Sequence, residues 1–336
     1  MVLVCTLLLT ACGNGDFDSQ QAPATSRLEA EEQMSPIAYD LQGHRGARGL
    51  RPENTLPGFE TALDLEVSTL ELDLHLTADG TIVVWHDPVI DRAKCGLAPA
   101  GPDGAPDPDD VYTTDRDLLI SQLTLAQVAG YRCDRNPDTG QFPDQKAVPG
   151  DLSGDNYAIV TIGELFDFVA AYARSDLKTE SQRANAERVV FNVETKRRPD
   201  RPHYIGDDFD GDSPGLFEKT LLDEIESREL GDRVIVQSFD HRSLWAVQAV
   251  APHIRLSALT LPDQSVDFDE LAQRGASIWS PHFGEVDPAS LTAARDAGLA
   301  VIPYTVNNPD DMEHLIEIGV DGIITDRPDL APRPSR

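Results

Sequence analysis

Past residue 38 the chain alternates two kinds of hydrophobic pattern. Short apolar runs read as strands: AYDLQGH, TLELDLHL, TIVVWHD, RVVFNVETK, RVIVQSFD, RLSALT, SIWSPHF, AVIPYTVN and DGIITD. Between them lie stretches whose apolar residues recur at helical spacing, among them TIGELFDFVAAYARS, GLFEKTLLDEIESREL, HRSLWAVQAVAP, FDELAQRG, PASLTAARDAG and NPDDMEHLIEIG. Gly275, Gly298 and Gly319 close three of these stretches, as a helix stop before the next strand should. So regular an alternation predicts an α/β protein with a parallel sheet. The length suits a (β/α)8 TIM-type barrel of about 250 residues. The nine strand candidates exceed the eight barrel places, so one is extra or lies outside the barrel. The alternation breaks over residues 92–157, which are rich in Pro, Asp and Gly. A segment so long predicts an insertion at the catalytic end of the barrel.

The start of the chain is patterned differently. MVLVCTLLLTACGNGD is an apolar run ending in LTAC, followed by a Gly/Ser/Gln/Ala-rich tract. The run is too short to span a bilayer. It reads as a lipoprotein signal over residues 1–11, cleaved before Cys12, with lipid on that cysteine. The alternatives are a poor signal peptide and a buried apolar strand. The first reading predicts an exported lipoprotein, at the periplasmic outer membrane or the cell surface. A flexible tether over 12–37 would precede a folded domain at 38–330, and the lipid would be its membrane contact. Cys5 would then be removed and Cys12 acylated. That leaves Cys95 and Cys133, which can persist as a disulfide in an oxidising compartment.

Charge narrows the possible partners. Aspartate and glutamate total 58 against 28 lysines and arginines, a formal net charge of −30. This disfavours nucleic acid and anionic membrane surfaces. Any site for a phosphate must be locally positive. LQGHRGARGLRPENTLPGF, residues 41–59, is such a place: it gathers Arg45, Arg48 and Arg51 beside His44.

In a barrel of this kind, chemistry sits where strands end and βα loops begin. His44, Arg45 and Gly46 follow the first candidate strand, Glu71 and Asp73 lie on the second, and His86 and Asp87 close the third. Glu194 and Lys196 come next, then QSFD. Residues two apart on a strand share a face, so Glu71 pairs with Asp73 and Glu194 with Lys196. Inward carboxylates are costly to bury unless they hold a cation. Oxygen donors without a cysteine cluster suit Ca2+ or Mg2+ rather than zinc. The short TADG turn lets Glu71 and His86 meet if their strands form a hairpin. A cation, Arg45 and Lys196 make a positive pocket flanked by two histidines. That arrangement suits phosphodiester cleavage, with one imidazole taking a proton and the other giving one.

HRGARGLRPENT, ELDLHLTADGTIVVWHD, ETK and YTVN…GVDGIITDRP resemble the glycerophosphodiester phosphodiesterase family, in order, from about residue 41 to 328. The resemblance implies a barrel of the phosphatidylinositol-phospholipase-C-like kind. It implies His44 and His86 as catalytic residues and Glu71, Asp73 and Glu194 as metal ligands. Arg45 and Lys196 would meet the phosphate, and Glu53 and Asn54 of PENT would support the site, Glu53 by pairing with Arg45 or by holding the metal. The cation would be Ca2+, as is common in exported members, with Mg2+ as the alternative. The implied reaction is hydrolysis of a small glycerophosphodiester to sn-glycerol 3-phosphate and an alcohol. The glycerol 2-hydroxyl would attack first and form a cyclic phosphate. Alternatives are phospholipase D-like action on lysolipids or sphingolipids, or a silent ligand-binding lipoprotein. The chain departs from the family at Tyr304, where tryptophan is usual, and in the long insertion.

Other polar residues read more plainly. His75 shares the face of Asp73 and is equally consistent with lining the site or with structural hydrogen bonding. Tyr304 is placed on the glycerol side. His241, His253, His282 and His314 carry no motif. Glu285 and Asp287 fit helix caps or pocket residues alike, and GDDFDGDSPG (206–215) reads as a solvated acidic loop rather than a second Ca2+ site. Trp85 and Trp245 read as packing residues. A Cys95–Cys133 bond is expected to hold an insertion with little core of its own over the catalytic end, where it selects the leaving alcohol.

Overall fold

A computed structural model describes residues 39–99, 101 and 104–333. The expected signal, Cys12 and tether lie outside the described residues. In chain order the strands are β1 (Asp40–Gly43), β2 (Thr69–Leu76), β3 (Ile82–Val84), β4 (Gly96–Leu97), β5 (Tyr131–Arg132), β6 (Val190–Thr195), β7 (Val234–Ser238), β8 (Arg255–Thr260), β9 (Ile278–Pro281), β10 (Ala300–Val301) and β11 (Gly322–Thr325). Eight of them are parallel neighbours in the order β10-β9-β8-β7-β6-β2-β1-β11. Main-chain hydrogen bonds cross the remaining seam: Asp321 N to Val301 O, Ile324 N to Pro303 O and Val306 N to Ile324 O, each 2.9 Å. The result is a (β/α)8 barrel, closed through that seam.

The extra strand candidate is β3. It pairs antiparallel with β2, matching Leu74 with Val84 and Leu76 with Ile82. β2 is eight residues long, but its register with β6 ends at Leu74 opposite Thr195, so its tip overshoots the barrel. Gly80 at φ 79° and a Thr81 amide bond to Thr77 Oγ1 (3.0 Å) close the turn. The chain comes back down until Trp85 N meets Asp73 O at 2.9 Å, and His86 follows. His86 therefore reaches the rim from a hairpin, not from a barrel strand.

The barrel interior is layered. Ile235, Ile278, Ile302 and Ile324 pack together as one cluster. Amides lie next to them: Asn192 Nδ2 donates to Gln42 Oε1 (2.8 Å) and Gln237 Oε1 (3.1 Å). Carboxylates follow, with Gln237 Nε2 donating to Glu71 Oε1 at 2.7 Å. Period-two alternation writes the gradient along each strand, so Val190, Asn192 and Glu194 of β6 rise through it on one face. The main apolar core lies between strands and helices and includes Leu41, Leu72, Val193, Val236 and Ile323.

The insertion differs from expectation. It shares an apolar cluster with its flanks: Leu118, Ile120, Leu123, Val128 and Tyr131 pack with Trp85, Ile90 and Ile159 and with the Cys95–Cys133 disulfide. Both cysteines are buried despite the polar sequence around them, because β4 and β5 pair and sink their apolar side chains together. Trp85 is buried there, as packing requires, with its Nε1 on Val89 O at 3.0 Å. Trp245 is only half-buried, beneath the Arg274 guanidinium. Asp287 caps the helix Pro288–Asp296. The bond spans 38 residues. Its loss in Cys95→Ser/Cys133→Ser should therefore cost about 3–4 kcal/mol on the chain-entropy account, read by denaturant unfolding of both forms.

Candidate active site

Two tight turns build the positive corner. β1 ends with His44 N donating to Thr325 O at 2.8 Å. Arg45 and Gly46 then take left-handed conformations, φ 53° and 85°. This aims the Arg45 amide at Glu71 Oε2, 3.0 Å away. Glycine is required at 46, because a Cβ there would stand 2.6 Å from Gly58 C. Asn54 is also left-handed, φ 54°, and its amide donates to Arg45 O at 3.0 Å. Its side-chain Nδ2 donates to Asp73 Oδ2 at 2.9 Å. Thr55 then caps the helix Leu56–Asp64. HRG and PENT are thus one unit, each turn holding the other.

Glu71, Asp73 and Glu194 converge: buried carboxylate oxygens of the three lie within 4.8 Å of one another. Burial, then the charge of Asp73, pushes the Glu71 carboxyl well above the usual range. Burial raises Glu194 as well, with Lys196 opposing and Asp73 adding to it. Burial would also raise Asp73, but Arg45 and Lys196 outweigh it and hold Asp73 well below. Arg45 Nε is 3.1 Å from Asp73, and Lys196 Nζ is 2.9 Å from Glu194 and 3.4 Å from Asp73. Two cations thus face three carboxylates, and the buried Asp73 Oδ1 accepts no hydrogen bond but lies 3.4 Å from the Lys196 ammonium. Oxygen donors, surplus negative charge and a buried carboxylate oxygen that accepts no hydrogen bond fit a hard divalent cation. A second group, Glu53, His86 and Asp87, does not fit one. Glu53 is taken by Arg45 (3.0 Å), Arg48 (3.3 Å) and Lys94 (2.7 Å), and Asp87 by Lys94 (2.5 Å).

Each site histidine is backed by a carboxylate. His44 Nδ1 lies 2.6 Å from Asp326 Oδ1, and His86 Nδ1 lies 2.9 Å from Asp87 Oδ1. An ionised carboxylate accepts only, so each Nδ1 carries the proton and each Nε2 is free to exchange one. Burial lowers both imidazoles, His86 to about 4, and Arg45 adds to the effect. Asp326 is oriented by Arg48, which donates to both its oxygens at 3.0 Å, and by Asn307 Nδ2 at 2.8 Å. His44 and His86 both line a cavity of about 260 Å3, together with Arg45, Glu71, Glu194 and Lys196.

Residues 44–330 match the model of the glycerophosphoryl diester phosphodiesterase family. The chain belongs to this family. A glycerophosphodiester phosphodiesterase of Caldanaerobacter subterraneus is 27% identical over 286 residues, 85% of this chain and 93% of that one. A structure from Silicibacter pomeroyi, assigned as a glycerophosphoryl diester phosphodiesterase, superposes with a TM-score of 0.69 at 27% identity, covering 88% of this chain and 92% of that one. An Oleispira antarctica phosphodiesterase, solved with the product sn-glycerol-3-phosphate, shares the fold at TM-score 0.62 and 18% identity, covering 87% and 94%.

The other family positions fall around this centre. Glu53 sits among three cations rather than on the carboxylate cluster. His75 Nε2 bonds His86 O at 3.1 Å, a structural contact, while the ring also lines a neighbouring cavity. Tyr304 lines the catalytic cavity, with its hydroxyl on Thr260 O at 2.7 Å. In sequence Asp326, Gln237, Asn307 and Lys94 carry no role of their own, and Arg48 stands out only as positive charge in the 41–59 stretch. Asp326 had a signal, since DGIITDRP places an aspartate at the end of the last strand.

The expected lid is absent from the cavity walls: among the described residues, none of 92–157 lines either cavity at the histidines. The insertion instead supports the histidine loops from behind. Lys94 Nζ ties Glu53 to Asp87, Phe142 lies under the Arg48 guanidinium, and Gln145 Nε2 donates to Arg48 O at 2.8 Å. Lys94→Met should lower kcat roughly 10- to 100-fold by freeing Asp87 and hence His86. Cation affinity should stay unchanged, which steady-state kinetics and calorimetric titration of one preparation would check.

Proposed function

We propose that this enzyme hydrolyses glycerophosphodiesters to sn-glycerol 3-phosphate and an alcohol, using a divalent cation held by Glu71, Asp73 and Glu194. The observation that carries the reading is the pair of carboxylate-backed imidazoles that line one cavity with the buried acidic cluster. A bound cation supplies positive charge against the phosphoryl oxygens. Arg45 and Lys196 bind those oxygens too and orient the diester. Because each Nδ1 is held by a carboxylate, one imidazole can accept the proton of the attacking hydroxyl through its Nε2. The anionic diester raises proton affinity nearby, so the other imidazole can hold and deliver the proton that the leaving alcohol needs. Asp326 and Asp87 fix the tautomers and stabilise the imidazolium when it forms. A silent binding protein would have no use for two such pairs.

An all-oxygen donor set of three carboxylates favours Ca2+, with Mg2+ as the competing ion. The test is release of sn-glycerol 3-phosphate from glycerophosphoglycerol with Ca2+, with Mg2+ and with chelator. Release that requires a cation supports the reading, and no release with either ion overturns it. The lipoprotein reading of the first residues adds a membrane-anchored location through Cys12. The mass of the native N-terminus checks this, since an unmodified Cys12 would exclude it.

A further inference from the structure

Beside the catalytic cavity lies a larger one, of about 440 Å3, which shares His86, Glu194, Lys196 and Phe239 with it. Its volume is in the range of sites for whole small-molecule ligands, about 300–1,000 Å3, and exceeds what a glycerol or ethanolamine unit needs. Pro88, Tyr204, Phe239 and Leu261 supply its apolar wall, and Leu261 is 58% exposed at the rim.

The charges around this cleft select against a cation. Its two carboxylates are already paired: Glu194 with Lys196 at 2.9 Å, and Asp200 with Arg198 at 3.1 Å and Arg201 at 3.5 Å. Arg197 contributes wall rather than a free charge. It is buried, held by Asp207 and Glu218, and lies over the Phe209 ring at 4.1 Å. An ammonium-bearing alcohol would meet Lys196 and find no unpaired carboxylate among the described lining residues. An alkyl or aryl body would remove apolar wall from water.

Resting on the hydrolytic reading above, we infer that this cleft is the leaving-group subsite. Its preferred occupant is a neutral alcohol with an apolar body, rather than a cationic alcohol such as choline. The Pro88–Tyr204–Phe239–Leu261 wall sets that preference, and the insertion does not.

The experiment uses the full chain with its cation and esters of sn-glycerol 3-phosphate with glycerol, choline, butan-1-ol, hexan-1-ol and octan-1-ol. Expected is a kcat/KM that rises about two- to fourfold per added methylene until the cleft is filled. The hexyl ester should exceed the choline ester by roughly tenfold or more. In Leu261→Asp and Tyr204→Ser the ratio of hexyl to glycerol ester rates should fall by roughly fivefold or more. A ratio is read because a general loss of folding or cation would move both rates together. A choline ester as good as the hexyl ester, a rate flat with chain length, or an unchanged ratio in both variants would overturn the subsite while leaving the hydrolytic reading intact. No release of glycerol 3-phosphate from any ester would overturn both.

Discussion

His86→Ala should lower kcat by about 10²- to 10⁴-fold while the protein binds its cation as before. The same is expected of His44→Ala. The basis is geometric. His44 Nδ1 is committed to Asp326 and His86 Nδ1 to Asp87, and neither imidazole belongs to the carboxylate cluster of Glu71, Asp73 and Glu194. Removing a ring therefore removes a proton carrier and leaves the three oxygen donors in place. His44 is the more exacting case, because its Nε2 stands 3.8 Å from Glu71 Oε2. Calorimetric titration with Ca2+ beside steady-state kinetics separates the two effects. Loss of cation binding in both variants would reassign the histidines as ligands.

The second large effect concerns the cation itself. A ligand that binds only the folded protein stabilises it by about 2.7 kcal/mol at a hundred times its Kd. Saturating Ca2+ should thus raise the melting temperature of the unaltered protein, and chelator should reverse the rise. Glu71→Gln, Asp73→Asn and Glu194→Gln should each abolish that response and cut turnover by about 10³-fold, the loss expected when charge stabilisation of a transition state is removed. The sign follows from the buried charge. Two of the three carboxyls, Glu71 and Glu194, are pushed upward chiefly by burial, with the charge of Asp73 adding to it, so the cluster gains most from an added positive charge. A melting temperature indifferent to cation in the unaltered protein, or a rise retained in all three variants, would mean that the cluster is structural.

Lys94 shows why part of the site was hidden. In sequence it is an isolated lysine at the start of a Pro/Asp/Gly-rich segment. In the fold it ties Glu53 to Asp87, one ion pair from Arg45 and one hydrogen bond from His86. Asp326 is 282 residues from His44, and only the meeting of β1 with β11 brings them together. Gln237, in the QSFD strand end, shows no local sign of its role, because its contact with Glu71 spans 166 residues. The insertion misled in the same way. Its polar residues dominate the composition, while its apolar ones are scattered along the chain and meet each other, and the flanking Trp85, Ile90 and Ile159, only in the fold.

Local order determined the strand–helix alternation of the barrel and the shared face of Glu71 and Asp73 on β2, while HRG and PENT stood out as family motifs. Strand period and helix stops act over a few residues, and each is written where it acts. The tertiary structure alone decided which strand candidate leaves the barrel, which carboxylate backs each histidine, and which segment walls the cleft for the leaving group. Those outcomes depend on pairing between distant segments, where burial and charge are set by neighbours that no short stretch of sequence contains.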